Sequence, residues 1–255
     1  REINQPLEIE DVQYGNPAPR EVLVRTVSAG VCHSDLHFQN GSYPHPLPAI
    51  LGHESAGVVE AVGSAVTYVK PGDHVITCLS AFCGHCEQCL TGHMSLCDEP
   101  ELQRAPEEAP RLAQGAENIA QFLNLSSFAE YMLVHEHTIV KVRKDMPLDR
   151  AALIGCGVTT GVGAVIHTAK VEPGATVAVI GCGGVGLSAI NGAAIAGAGR
   201  IIAIDTLDSK LTLAKKLGAT DVINASNVNV VGEVREMTGG CVHYSFEAIG
   251  LKQTA

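Results

Sequence analysis

Apolar and polar positions change rhythm part-way along the chain. Up to about Thr160 the apolar residues fall in short Val-rich runs, such as Val22-Leu23-Val24 and Gly57-Val58-Val59, each bounded by turn residues. That texture predicts the strands of an antiparallel, barrel-like domain. Further on, short apolar runs alternate with helical stretches. Residues 176–180 precede a helix from Val185, and 200–204 precede a helix through Leu217. The runs 221–224 and 242–249 flank a helix near 230–237. This alternation is the βαβ signature of a parallel, doubly wound sheet. The expected fold class is therefore mixed, a barrel-like β domain over 1–158 followed by an α/β domain over 159–255. Four strands are read in that sheet, where a dinucleotide-binding sheet has about six, so the sheet is expected to be truncated at its C-terminal side. Segment 99–114, with three prolines and charges of both signs, is expected to be an exposed loop.

Composition narrows the function classes. With 46% hydrophobic and 17% charged residues, the 255-residue chain is not disordered. Its mean hydropathy of +0.18 raises the question of a membrane span. The longest uncharged stretch, 174–199, is broken by glycines and carries Asn191, which suits a strand, turn and helix better than a lipid-facing segment. A formal net charge of -10 opposes binding to a phosphate backbone, and 4% aromatics without Trp leave few stacking platforms for bases. The start, Arg1-Glu2-Ile3-Asn4, has neither an initiator Met nor a signal peptide. The expected protein is cytoplasmic, with no nucleic-acid or membrane partner.

Gly181-Cys182-Gly183-Gly184-Val185-Gly186 fits G-x-G-x-x-G, follows the apolar run Val177-Ala178-Val179-Ile180 and opens a helical pattern. In that context Gly181 permits the tight turn, Gly183 lets backbone N–H groups approach a pyrophosphate, and Gly186 allows close helix–strand packing. Asp205 ends the next apolar run, about 20 residues on, where a carboxylate accepts from ribose hydroxyls and repels a 2′-phosphate. NAD is therefore expected rather than NADP. Asp205 could also cap the following helix, and Lys210 reads equally as a ribose contact or a solvated lysine.

Four of the nine cysteines crowd into one loop at Cys83, Cys86, Cys89 and Cys97. In a core-rich chain without a secretion signal this spacing points to metal-bound thiolates rather than disulfides. Four thiolates close a tetrahedral shell around zinc with no open position, which stabilises a loop and does no chemistry. His85 and His93 are read as loop residues, because the sulfur set is already complete. Cys32, His53 and Cys156 each stand beside glycine on a turn. Three such ligands would leave zinc one open position, as catalysis requires, although a lone Cys or His is more often core than ligand. Cys78, Cys182 and Cys241 are expected to be buried free thiols.

The runs GVCHSDLH, LPAILGHESAGVVEAVG, VKPGDHVI, CGHCEQC, GCGVTTGVGAV and IGCGGVGL, in this order, resemble the zinc-dependent medium-chain alcohol dehydrogenases. The match covers nearly the whole chain. The resemblance implies a GroES-like catalytic domain and a Rossmann domain, with two zinc ions and NAD. It implies that Cys32, His53 and Cys156 hold a catalytic zinc, with Asp35 fixing the His53 tautomer and Glu54 behind the metal as an alternating ligand. Ser34 matches the hydroxyl that touches the substrate oxygen, and His37 the histidine that passes its proton to solvent. His33 stands where the family often has Arg beside the pyrophosphate. Thr160 and Val185 match positions flanking the nicotinamide, for which Val185 also has a plain packing role.

The activity so implied is reversible hydride transfer between a primary or secondary alcohol and NAD, with zinc as Lewis acid on the substrate oxygen. Leu79, Phe122 and Leu123 match positions lining the alcohol pocket. All three are apolar, favouring aliphatic or aromatic alcohols over polyols, though each could equally be core. Relatives that oxidise the glutathione adduct of formaldehyde carry Arg after the fourth loop cysteine. This chain has Asp98-Glu99-Pro100-Glu101 there, which argues against that anionic substrate. Three other readings compete. They are a relative with tightly bound NAD that dismutes aldehydes or needs an external acceptor, a zinc-ribbon binding module, and an NAD-binding protein without turnover. Family members continue for two more Rossmann strands and a returning segment, so the biological chain is expected to be longer. The long 97–156 segment resembles that of dimeric members, and a homodimer is expected.

Overall fold

The computed structural model describes residues 1–105 and 107–254. The chain divides into two compact units, one over Arg1–Cys156 and one beginning at Gly157.

In the first unit, alternation of β-branched and polar residues builds a five-stranded antiparallel sheet in the order Ile139–Val142, His74–Thr77, Ser55–Val62, Glu21–Ala29 and Tyr131–His135. One face buries Val22, Val24, Val59, Val75, Met132 and Val134. The other turns Ala56 and Ile76 onto Leu148, Ala151 and Ala152 of the helical segment that follows the last strand. Gly57 is needed where the two central strands meet, because a Cβ there would lie 2.3 Å from the Arg25 carbonyl oxygen.

The register of this sheet positions the chemistry. Ala29 pairs with Ser55, so the turn carrying Cys32 leaves one strand beside the point where the neighbouring strand follows His53. Gly30 N–H donates to the Glu54 carbonyl at 2.7 Å and locks the two turns together. On the next strand, Thr77 holds Ser55 through a hydroxyl pair at 2.8 Å. A Cβ on Gly155 would lie 2.0 Å from the Thr77 carbonyl oxygen. Only glycine fits there, and Cys156 follows it. Three turns distant in sequence thus converge on one end of one sheet.

The 99–114 segment corrects the sequence expectation. Leu102, Arg111 and Leu112 are buried, and the segment ends in a short strand, Leu112–Gln114. Pro106 lies outside the described residues. The cause is Glu21, buried at 3% exposure, which accepts from Arg111 Nε at 2.6 Å and from Arg104. A buried carboxylate requires paired cations, and this segment supplies them.

The same region holds a buried imidazole. His135 is 6% exposed and accepts at Nδ1 from the His137 N–H at 3.2 Å. Burial first, then the nearby His137, Arg20 and Arg111 charges, lowers its pKa to about 4. Between the unfolded value of about 6.5 and the folded value, the unfolded chain binds a proton that the folded chain refuses, so stability falls as pH falls. The full shift corresponds to about 3 kcal/mol. Urea midpoints from pH 7 to pH 4 are expected to drop less steeply in His135→Gln than in the parent. Equal slopes would show that His135 is not held neutral.

The second unit is a four-stranded parallel sheet in the order Asp221–Asn224, Arg200–Asp205, Thr176–Ile180 and Tyr244–Glu247. Its two central strands are apolar on both faces because helices cover both, while the edge strand Tyr244–Glu247 leaves Ser245 and Glu247 exposed. The helix Gly184–Ile195 also packs on the helix Gly157–Gly163, where Gly161 and Gly192 let the backbones approach. Among the described residues no single helix is long and apolar enough to cross a membrane.

Candidate metal centres and nucleotide site

Cys32 precedes the helix His33–Gln39, and Asp35 in its first turn folds back so that Oδ2 accepts from the Cys32 N–H at 2.9 Å. Asp35 is 3% exposed. Its Oδ1 accepts from Gly52 N–H at 3.0 Å and lies 3.3 Å from His53 Nδ1. One carboxylate therefore holds both turns and fixes the ring of His53, which is 1% exposed, with Nε2 left for a ligand. Cys32 Sγ and Cys156 Sγ are 3.9 Å apart, and one ligand atom each from Cys32, His53 and Cys156 lies within 4.8 Å of the others. Two thiolates and one imidazole from three rigid turns fit zinc with one open position.

Electrostatics favour a thiolate here, while the imidazole's proton must leave before its Nε2 can bind metal. Hydrogen bonds from Cys156 and then His53 outweigh burial and pull the Cys32 thiol down to about 3. For His53, burial works downward, but the bonds to Asp35 and Cys32 prevail and raise it to about 9. The site is thus built to stabilise thiolate. Ser34 Oγ lies 3.7 Å from Cys32 Sγ, and the His37 ring follows, 4.8 Å from His33 and 5.2 Å from Tyr43. Glu54 is buried at 5% exposure with its carboxylate over Gly30, where a Cβ would meet Oε2 at 2.5 Å. It is not one of the three clustered ligands.

Phe122 is fully buried, its ring packed edgewise on Phe38 at 4.7 Å, His45 at 5.4 Å and His53 at 5.7 Å. Next to it, Leu123 adopts a left-handed φ of 47°, a strained conformation for a branched residue. Leu79 packs against the domain core. The sequence reading missed Phe38, Tyr43 and His45. The available signal was that Phe38, Tyr43 and Phe122 are three of only ten Phe and Tyr residues in the chain.

The sulfurs of Cys83, Cys86, Cys89 and Cys97 form a second cluster, each within 4.8 Å of the others. Backbone N–H groups point at them, from Cys86 to Cys83 Sγ at 3.2 Å and from Cys83 to Cys97 Sγ at 3.3 Å. Four thiolates stabilised by amides fit a closed zinc shell. Of the three remaining thiols, one is buried as expected and two are not. Cys182 is buried, and burial followed by the Asp205 charge raises its thiol to about 11. Cys78 is only half-buried, and Cys241 is exposed because it follows a helix terminus at the surface.

In the second unit, Gly181 turns the chain at φ 92°, and a Cβ on Gly186 would lie 1.8 Å from the Gly181 carbonyl oxygen. Gly183 caps the helix Gly184–Ile195, and a Cβ on Gly183 or Gly184 would meet nothing within 4 Å. That open cradle at a helix N-terminus fits a pyrophosphate. Asp205, at the end of the next strand, accepts from Cys182 N–H at 2.8 Å and Leu207 N–H at 3.0 Å, with Lys210 Nζ at 3.7 Å. Burial acts to raise its pKa, but those backbone bonds and Lys210 hold the carboxyl below its usual range. Asp205 is thus ionised and ties the glycine turn to the approach of the next helix, whose N-cap is Leu207 and not Asp205. Thr160 and Val185, both exposed, lie close by, because a Cβ on Gly161 would come 2.4 Å from the Val185 carbonyl oxygen.

Comparison with known proteins agrees. Residues 18–144 match the alcohol dehydrogenase GroES-like domain and residues 184–255 match the zinc-binding dehydrogenase domain. An alcohol dehydrogenase zinc-binding domain protein from Burkholderia ambifaria is 42% identical with a TM-score of 0.90, over 100% of this chain and 70% of that one. Benzyl alcohol dehydrogenase from Acinetobacter calcoaceticus is 40% identical with a TM-score of 0.87, over 96% and 68%. Galactitol-1-phosphate dehydrogenase from Escherichia coli is 31% identical with a TM-score of 0.77, over 96% and 66%. The chain belongs to the zinc-dependent medium-chain alcohol dehydrogenase family.

Proposed function

We propose that the protein oxidises alcohols reversibly with NAD, using one catalytic and one structural zinc. The convergence of Cys32, His53 and Cys156, with one position left for substrate, carries the reading. Zinc held there would supply Lewis acidity toward the substrate oxygen, and bound NAD would supply a hydride acceptor. The chain's own groups do the rest. Asp35 fixes the imidazole of His53, the Ser34 hydroxyl takes the alcohol proton as it gives up its own, and His37 passes the released proton to solvent. In the second unit, Gly181, Gly183, Gly184 and Gly186 bind the pyrophosphate, Asp205 and Lys210 bind the adenosine ribose, and Thr160 and Val185 orient the nicotinamide.

Apolar Leu79 and Leu123 with half-buried Phe38, which the fully buried Phe122 backs from within, favour an aliphatic or aromatic primary alcohol over a polyol. A relative named for benzyl alcohol supports the aromatic case. All nine cysteines are free, which suits a reducing compartment such as the cytoplasm. We read the working form as a homodimer, on the long 97–156 segment.

Metal content, measured beside initial rates of NAD reduction with a panel of primary alcohols, tests the reading. About two zinc per chain together with a rate supports it. Zinc confined to the four-cysteine loop overturns it. Cofactor choice is tested separately by Asp205→Ser. Removing charge-assisted hydrogen bonds worth about 1.5–3 kcal/mol is expected to weaken NAD binding about 10- to 100-fold and to narrow the preference over NADP. A fluorescence titration with both nucleotides reads this. Unchanged discrimination would remove Asp205 from the ribose site.

A further inference from the structure

Two features of the four-cysteine loop take no part in the proposed chemistry. One is His85, between the first two cysteines, and the other is the acidic stretch after the last, which includes Glu101. The fold brings both to one sulfur. His85 Nδ1 lies 3.6 Å from Cys83 Sγ, and its Nε2 lies 3.0 Å from Glu101 Oε1. The same sulfur faces the backbone N–H groups of His85 at 3.4 Å and Cys86 at 3.2 Å. Cys83 is also the one buried member of the four.

We propose that His85, held by Glu101, is a positioning residue that donates to the Cys83 thiolate and slows loss of metal from this loop. The inference rests on reading the loop as a zinc site. Four thiolates around a divalent ion leave two net negative charges on sulfur, so each sulfur remains open to electrophiles and oxidants. N–H donors withdraw that electron density, and a thiolate facing two amides and an imidazole is a poorer nucleophile than one facing solvent. Glu101 sits in the short helical turn Pro100–Leu102, so the bridge also ties the first cysteine to the segment leaving the fourth. His85 and Glu101 are themselves 65% and 53% exposed, which places the bridge on the solvent side of a buried sulfur.

Cys83, His85 and Glu101 also bring one ligand atom each within 4.8 Å, the spacing of a metal site of their own. That use is disfavoured, because the sulfur already belongs to the four-cysteine set and both ring nitrogens face partners.

The test is the rate of zinc release from the intact protein under an organomercurial, together with the thiolate-to-metal charge-transfer band after cobalt replaces zinc. His85→Phe is expected to release the loop metal about 10-fold faster, the lower end of the range for losing such a partner, and to move the band to lower energy. His85→Asn, which keeps an N–H donor near the Nδ1 position, is expected to restore most of both. Glu101→Gln should fall between. An unchanged band and rate in His85→Phe overturns the proposal. So does His85→Asn behaving like His85→Phe, which would reduce the ring to packing. A third metal equivalent lost in both His85→Phe and Glu101→Gln overturns it in favour of a separate metal site. Failure of the underlying reading shows elsewhere, as Cys97→Ser keeping the parent's full metal content, and would take the bridge with it.

Discussion

Cys32→Ser, purified with zinc present throughout, is expected to hold one zinc per chain in place of two and to oxidise alcohols about 1,000-fold more slowly or worse. The magnitude follows from losing several kcal/mol of Lewis-acid stabilisation at the reacting oxygen, at about 1.4 kcal/mol per tenfold in rate. Cys32 is suited to this test because its sulfur sits 3.9 Å from Cys156 Sγ, while the backbone bond to Asp35 is made by its amide and survives the substitution. Metal analysis and the rate are read on the same sample, with urea unfolding to show that the sheet persists. Retention of two zinc ions, or of the parent rate, would exclude Cys32 from the site. Cys97→Ser supplies the contrast, since it should lose the other zinc and lower the unfolding midpoint.

Gly186→Ala is expected to damage both stability and cofactor binding. Its Cβ would fall 1.8 Å from the Gly181 carbonyl oxygen, and Gly181 has no room to retreat, since a Cβ built on it already meets Ile249 at 2.5 Å. Overpacking of that kind costs about 1–3 kcal/mol or more, and the helix N-terminus would move off the phosphate position. We expect an affinity loss for NAD above about 100-fold, with a clear drop in the urea midpoint. Gly184→Ala separates the two effects, because its Cβ meets no protein atom within 4 Å. Stability should hold there while affinity falls, if the pyrophosphate occupies the cradle. Calorimetric titration with NAD beside urea unfolding reads both variants. Parent-like NAD affinity in Gly186→Ala would remove the glycine turn from the cofactor site.

Local rules were enough for part of this protein. The G-x-G-x-x-G turn, the carboxylate of Asp205 at a strand end and the four-cysteine loop are each contiguous or regularly spaced, so their physics is written in neighbouring residues. The parallel order of strand and helix followed from the change of period alone. The 99–114 segment was misread because prolines and charges look solvated until a buried partner is known. Only the fold shows Glu21 waiting beneath Arg104 and Arg111. Cys241 was misread for the opposite reason, since a thiol's usual burial yields where the chain leaves a helix at the surface.

The candidate catalytic cluster divides in the same way. The sequence alone showed three soft ligands on glycine turns and the kind of metal they suit. Spacing could not place Cys32, His53 and Cys156 together, because they are far apart along the chain, and only the family resemblance grouped them. Their meeting depends on the Ala29–Ser55 register, the Ser55–Thr77 hydroxyl pair and the absence of a Cβ at Gly155. The bridge from Cys83 through His85 to Glu101, and the ring wall of Phe38, His45 and Phe122, are likewise contacts between segments. Chain chemistry determined which groups were available, and sheet register with close packing decided which of them touch.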